Sequence, residues 1–190
     1  MDITSYLLGK NSGGGGGSDL DWTALGYDST PQAIIDAYNI ALNIKETWTS
    51  TSRLSEDYKN VIICPLVDTS SQTSWYYFAS NCGSLLQMPL LDTSNVTNMT
   101  SSFYACSALQ HIPKFNTSKV TSFTGTFQGC NNLTNESINN ILEMCISATL
   151  YTGTKTLYQL GFRSNYYSAT RIQALPSYQA FIDAGWTIGY

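Results

Sequence analysis

The sequence predicts an α+β fold: a short α/β solenoid of about three 24-residue coils, with a helical N-terminal cap and a mixed C-terminal cap. Three observations predict it. From residue 61 the chain repeats itself every 24 residues without an insertion. A helical pattern precedes the repeat. Helical and strand-like segments come after it. The 190 residues are 43 % hydrophobic, enough for one domain with a buried core.

Residues 1–18 are read as an N-terminal peptide and tether. Gly13 to Gly17 is an unbroken glycine run closed by Ser18. Such a run has high backbone entropy and no side chains to pack. It fits either a cloning linker or a natural hinge between an anchor peptide and a globular body. Residues 19–60 are read as the N-terminal cap. Thr30 is a good N-cap and Pro31 suits the first helical position. Ala33, Ile34, Ala37, Ile40, Ala41 and Ile44 then recur at helical spacing through about Lys45. Residues 47–60 read as loop or a short second helix.

Residues 61–136 are the solenoid. Pro65, Pro89 and Pro113 are 24 apart, and so are Cys82, Cys106 and Cys130. Val61 leads the column Leu85, Leu109 and Leu133 at the same spacing. Asp68, Asp92 and Asn116 form another column, each followed by Thr-Ser. A period of 20–29 residues with recurring leucines is the signature of a leucine-rich-repeat-like solenoid. Each coil cannot bury its apolar side alone, and stacking turns each column into a ladder of like residues. Met99, Phe103 and Cys106, at i, i+4 and i+7, predict a short helical turn. Leu85–Leu91 is the extended side, kept short by Pro89, which has no N–H for a ladder.

Residues 137–190 are read as the C-terminal cap. After Leu133 the repeat stops. Ser137 is placed as the N-cap of a helix over Ile138–Cys145, with Ile138, Ile141, Leu142 and Cys145 on one face. Lys155–Phe162 alternates like a strand. Ser168–Leu175 and Pro176–Ala184 look helical, and Gly185 stops the second.

The motif Pro89-Leu90-Leu91-Asp92-Thr93-Ser94-Asn95-Val96-Thr97-Asn98-Met99, continued by Phe103, Cys106 and Leu109, resembles the BspA-like leucine-rich repeats of bacterial surface proteins. The mycoplasma-lipoprotein-type repeat is the nearest form, and the resemblance covers roughly residues 61–135. It implies a right-handed solenoid and a surface protein that binds host proteins, matrix proteins or other bacteria. This chain departs from the pattern in having three copies, the first with Ser71-Gln72-Thr73-Ser74-Trp75 in place of Asn-Val-Thr-Asn-Met. The start Met1–Lys10, the glycines and the small repeat body are also similar to proteins of prophage and phage regions of gut bacteria. That second resemblance implies a tail or particle-associated role, with residues 1–12 joining a larger assembly. Together the resemblances imply a cell-surface, extracellular or virion-associated place.

Composition excludes several classes. Charged residues are 12 % of the chain, about half the usual share of roughly 25 %. Ser and Thr together number 45, with 14 Asn besides. A net charge of −4 argues against a phosphate-tracking surface, so no nucleic acid is expected. No run approaches the roughly 18 apolar residues of a membrane span, so no insertion is expected. Met1-Asp2-Ile3-Thr4-Ser5-Tyr6 lacks a basic and an apolar region, so the sequence as it stands shows no secretory signal.

Candidate sites are few. His111 is the only histidine and shares a column with Gln87 and Asn135, a solvent-facing extended position. Any Ser-His-Asp or Cys-His arrangement must use it. Cys82, Cys106 and Cys130 lack the close partners of a metal site and read as an in-facing ladder of buried thiols. Asp68, Asp92 and Asn116 read as corner caps and not as a calcium ladder, because one member is neutral. Five Asn-x-Ser/Thr triplets, at Asn95, Asn98, Asn116, Asn132 and Asn135, arise from the composition of the repeat. Tyr76, Tyr77, Tyr104, Tyr166 and Tyr167 fall on or near exposed positions, and tyrosines are enriched at interfaces.

The expected function is a non-enzymatic protein- or glycan-binding module that docks by shape, with little electrostatic steering. Its extended face comprises Leu86, Gln87, Leu90, Gln110, His111, Lys114, Thr134 and Asn135. No metal or cofactor is expected. The alternatives are a phage structural component and, more remotely, a glycan-active enzyme, which needs two carboxylates roughly 5–9.5 Å apart.

Overall fold

The computed structural model describes Asn43, Ile44 and residues 47–190. The tether of residues 1–18 and nearly all of the predicted helix over residues 31–45 lie outside the described residues.

The 24-residue copies lie side by side in parallel register. Single bridges join Ile63 to Gln87 and Gln87 to His111, and a second row joins Ser74 to Asn98 and Asn98 to Ser122. Both rows step by the sequence period. The pairing stays short in the first row because a proline stands two residues after each bridging position and offers no N–H.

The second row runs into a segment of turns. Trp75, Ala79 and Asn81 donate their N–H groups to the carbonyls of Asn98, Ser102 and Tyr104 at 2.7–2.8 Å. One copy further, Met99, Ser101, Phe103 and Ala105 donate to Ser122, Thr124, Thr126 and Gln128 at 2.7–2.9 Å. The residues between donate within their own copy: Ser102 to Met99, Tyr104 to Ser101 and Cys106 to Phe103. The helical turn expected over Met99, Phe103 and Cys106 is therefore absent, although all three side chains are buried. Every second N–H points sideways to the next copy, whereas an α-helix directs each along its own axis. A left-handed backbone at Ser101 (φ 54°) and Ala105 (φ 58°) breaks any helical run.

The interior is built from the columns. Val61, Leu85, Leu109 and Leu133 are buried, as are Cys64, Met88 and Ile112, and Val67, Leu91 and Phe115. Phe103 stacks on Phe127 with centroids 5.6 Å apart and planes 4° from parallel. Hydroxyls enter the core as well. Ser102 Oγ donates to the carbonyls of Trp75 and Met99 at 2.7 and 2.8 Å. Thr126 Oγ1 makes the same pair of bonds to Met99 and Phe123 at 2.9 and 2.6 Å. Each satisfied hydroxyl ties one copy to the previous one, so burial carries no unpaired donor.

The first copy keeps its register with different chemistry. Gln72 stands in the column of Val96 and Val120, and Trp75 in the column of Met99 and Phe123. Both are buried. The indole N–H of Trp75 donates to Gln72 Oε1 at 2.9 Å, and Gln72 Nε2 donates to the Ser52 carbonyl at 3.2 Å. The short helix α1 (Leu54–Asp57) comes just after Ser52, and Leu54 is fully buried.

After the third copy comes α2 (Asn135–Ser147), capped by Thr134, whose hydroxyl accepts from the Ser137 N–H. Ser137, expected as the cap, lies one turn inside. Its Oγ accepts from the Ile112 N–H at 2.9 Å and donates to the Gln110 carbonyl at 2.7 Å, so tertiary partners claim it. Ile138, Ile141, Leu142 and Cys145 are buried. α3 (Ala169–Gln173) and α4 (Tyr178–Asp183) follow, with Gly185 in a left-handed conformation after α4 (φ 83°).

Lys155–Phe162 is not a strand. Only Thr156 bridges, to Thr187, and turns come after it. The segment repeats the turn side of a copy, with Thr156 in the role of Ser122. Gly125 donates to the Gln159 carbonyl and Phe127 to the Leu160 carbonyl, each at 2.8 Å. The stacking thus resumes after α2, where the sequence period had ended at Leu133. The 24-residue spacing is lost because α2 is inserted between.

Candidate functional site

The corner residues act through their own backbone. Asp68, Asp92 and Asn116 accept from the N–H of Ser70, Ser94 and Ser118 at 2.9, 2.8 and 3.1 Å. These are side-chain turns that an amide serves as well as a carboxylate. The hydroxyl of Ser70, then its N–H, holds the Asp68 carboxyl below its ordinary range. The Ser94 N–H, then its hydroxyl, does the same at Asp92. The threonines beside them face inward. Thr69, Thr93 and Thr117 donate to the carbonyls of Asp92, Asn116 and Met144 at 2.7, 2.9 and 2.6 Å. Among the described residues, no three His, Cys, Asp or Glu side chains gather as a metal site.

The cysteines are free and buried. Cys106 and Cys130 donate their thiols to the carbonyls of Ala79 and Phe103 at 2.9 and 3.0 Å. Burial pushes the Cys82 thiol up to about 12. A thiol so hard to ionise is a poor nucleophile and a poor ligand.

The extended row is largely committed to the fold. Leu86, expected on the face, is 3 % exposed. Its backbone is bonded on both sides, donating to Ile62 and accepting from Gln110 and His111. Lys114 pairs with Glu143 of α2 at 2.7 Å. That bond and those from Ser177 and Asn139 hold the Glu143 carboxyl below its ordinary range. Thr134 still continues the row, its N–H donating to the Gln110 carbonyl at 3.1 Å, but it is also the α2 cap, and the row ends there because Asn135 is the first residue of the helix. Asn135 accepts from Arg171 Nε at 2.7 Å. Leu90, at 63 % exposed, and the half-buried Gln87, Gln110 and His111 remain on the surface.

The turn side offers a hollow of about 400 Å³. One wall is the column Tyr77, Ser101 and Gly125, whose side chains shrink from one copy to the next. Tyr104 and Gln128, also 24 apart, form the neighbouring column. The far wall comes from the C-terminal segment through Tyr158, Gln159 and Arg163. Arg163 Nη1 donates to the carbonyls of Tyr158 and Phe162 at 3.0 and 3.1 Å. Its guanidinium lies 4.1 Å from the Tyr158 ring centroid. Gln159 Nε2 donates to Thr124 Oγ1 at 3.1 Å, tying that wall to the third copy. Tyr77, Tyr104 and Tyr158 are 39, 37 and 48 % exposed.

Tyr167, read from sequence as exposed, is buried instead. Its hydroxyl accepts from the Leu133 N–H at 3.1 Å and donates to the Cys130 carbonyl, covering the open end of the third copy. Burial pushes this phenol up to about 12. The taper of the Tyr77 column and the pairing of Tyr104 with Gln128 are visible in the period. The approach of Tyr158 and Arg163 depends on how the chain returns after α2, which the period does not encode.

No curated protein and no solved structure matches the chain. Residues 73–152, from the middle of the first copy to just past α2, match a family described as Mycoplasma protein of unknown function, DUF285.

Proposed function

We propose that this chain is a non-enzymatic binding module built on a short, right-handed, leucine-rich-repeat-like solenoid of the BspA-like type. It docks a protein or glycan through shape and uncharged contacts. The 24-residue step of both bridge rows supports the solenoid reading. The observation that carries the binding reading is the turn-side hollow. Its walls offer phenols, amides, hydroxyls and a single guanidinium, groups that hold a partner by stacking and hydrogen bonds. Its large rings stand exposed, while Tyr151 and Tyr167 are buried in the body. A surface built this way steers weakly, so its association changes little with salt.

Screening the purified chain on glycan and protein arrays tests this reading. Selective capture of one ligand class, persisting at high salt, is expected. Two variants divide the surface: one replaces Gln87, Gln110 and His111, and the other replaces Tyr77 and Tyr104. Loss of capture in the first alone would return the site to the extended row. Capture on neither array, or cleavage of a captured glycan, overturns the reading.

A further inference from the structure

We infer that the turn-side hollow is a saccharide subsite that takes a short stretch of a neutral oligosaccharide. This inference rests on the binding-module reading and names the ligand class of that site.

Three features carry it. The first is the lining itself, which contains aromatic rings, amides and hydroxyls but no aliphatic side chain and no carboxylate. The lining therefore gives an apolar peptide side chain no aliphatic wall to pack against. A pyranose presents flat C–H faces and a rim of hydroxyls, which match tyrosine rings and the amides of Gln128 and Gln159. The volume of about 400 Å³ is at the small end of ligand clefts, which run roughly 300–1,000 Å³, so a short stretch of chain fills it.

The second feature is strain at Tyr77. Its φ of 56° lies in the left-handed region, as do those of Ser101 at 54° and Gly125 at 64° in the same column. Glycine satisfies this backbone without strain, whereas a bulky side chain does not. The first copy nevertheless holds an exposed tyrosine there. Strained non-glycine residues cluster at ligand sites, and both Tyr77 and Ser101 line the hollow.

The third feature is pre-organisation without a free field. Arg163 lies over the Tyr158 ring and bonds two backbone carbonyls, which holds the ring in place. The Nη1 of this one cation in the lining is already committed to two carbonyls of the chain, and every other lining group is uncharged, so the site is assigned to neutral sugars.

Titration calorimetry with mannohexaose, cellohexaose and the N-acetylglucosamine hexamer tests the assignment, with hexagalacturonate as the acidic arm. At least one neutral hexamer is expected to bind. Tyr104→Ala and Tyr77→Gly are each expected to weaken that binding about tenfold or more, as for central tyrosine anchors. Tyr166→Ala, an exposed tyrosine outside the hollow, is expected to leave it unchanged. Tyr77→Gly also keeps or raises Tm, because it relieves the left-handed strain, so its loss of binding is not a loss of folding. Preference for hexagalacturonate, neutral binding that ignores both variants, or no saccharide binding overturns the assignment. If the arrays yield a partner whose capture the groove variants leave intact, this inference falls and the binding-module reading stands. If neither arrays nor titration show binding, both fall.

Discussion

Replacing Gly161 by alanine separates the stacking of the C-terminal segment from ordinary surface packing. Gly161 sits at φ +100°, beyond the left-handed well that some side chains tolerate. A Cβ there lies 2.4 Å from the Gln128 backbone nitrogen and 2.5 Å from its Cα. Those atoms belong to a backbone whose carbonyl is already bonded to the Ala105 N–H at 2.7 Å, so they do not move freely. The dihedral costs about 1–3 kcal/mol. Relieving the overlap by displacing packed backbone costs about another 1–3 kcal/mol. A loss of about 4 kcal/mol is expected, a large part of the roughly 5–15 kcal/mol of a typical domain. Three other glycines grade the scale. Gly83 has no positive φ and meets only Ser107 Oγ at 3.7 Å, so its alanine variant stays within about 0.5 kcal/mol. Gly125 (φ 64°) has 3.5 Å of clearance, and its variant loses about 1 kcal/mol. Gly129 (φ 84°) meets the Ala105 Cα at 3.1 Å, and its variant falls between those of Gly125 and Gly161. Urea unfolding monitored by tryptophan fluorescence, with linear extrapolation, reads all four. A Gly161→Ala variant as stable as Gly83→Ala would refute the docking of this segment on the third copy.

Gln72→Val leaves the Trp75 indole N–H buried without its acceptor and is expected to cost about 1–3 kcal/mol in the same urea assay. The double variant Gln72→Val, Trp75→Met, which copies the second repeat, is expected to recover part of that loss; no recovery would show that the pair is not coupled. The depressed carboxyls of Asp68, Asp92 and Glu143 make stability depend on acid. Their contribution is fully present above the ordinary carboxylate range near about 4, and is lost as pH falls through that range toward the depressed values. Asp92→Asn is expected to keep the corner at neutral pH, as Asn116 does, and to flatten the acid limb of a Tm-against-pH curve; an unchanged limb would place the titration elsewhere. The five buried thiols are expected to resist an aromatic disulfide reagent at pH 8 in the native state and to react on unfolding. Fast native labelling of Cys106 would contradict its enclosure between copies.

The low charge and the abundance of hydroxyls have one structural cause. A hydroxyl can donate to a carbonyl of the neighbouring copy from a buried position, as Thr93, Ser102 and Thr126 do. A charged side chain in the same column would need a buried counter-charge in every copy. Repetition therefore favours Ser, Thr and Asn wherever copies must be joined through polar groups.

The sequence by itself determined the register. A period of 24 without insertions places Cys82 beside Cys106 and Asp68 beside Asp92, and the identity of each column says whether it faces inward. Local bonds such as Ser94 N–H to Asp92 Oδ1 were legible for the same reason, since they span two residues. Only the tertiary structure decided how the backbone runs within a copy. The spacing of Met99, Phe103 and Cys106 fits a helix, yet their N–H groups or those of their neighbours are taken by the next copy, which no local pattern records. Tertiary contacts also decided the path of the chain beyond the third copy. Thr134 displaced Ser137 as the cap because Gln110 and Ile112, 27 and 25 residues earlier, claim the Ser137 hydroxyl. Tyr158 and Arg163 reach the hollow because the chain resumes stacking after α2. Periodicity fixes what each copy presents to its neighbour; the closing of the stack depends on contacts made once, and a single contact leaves no period to read.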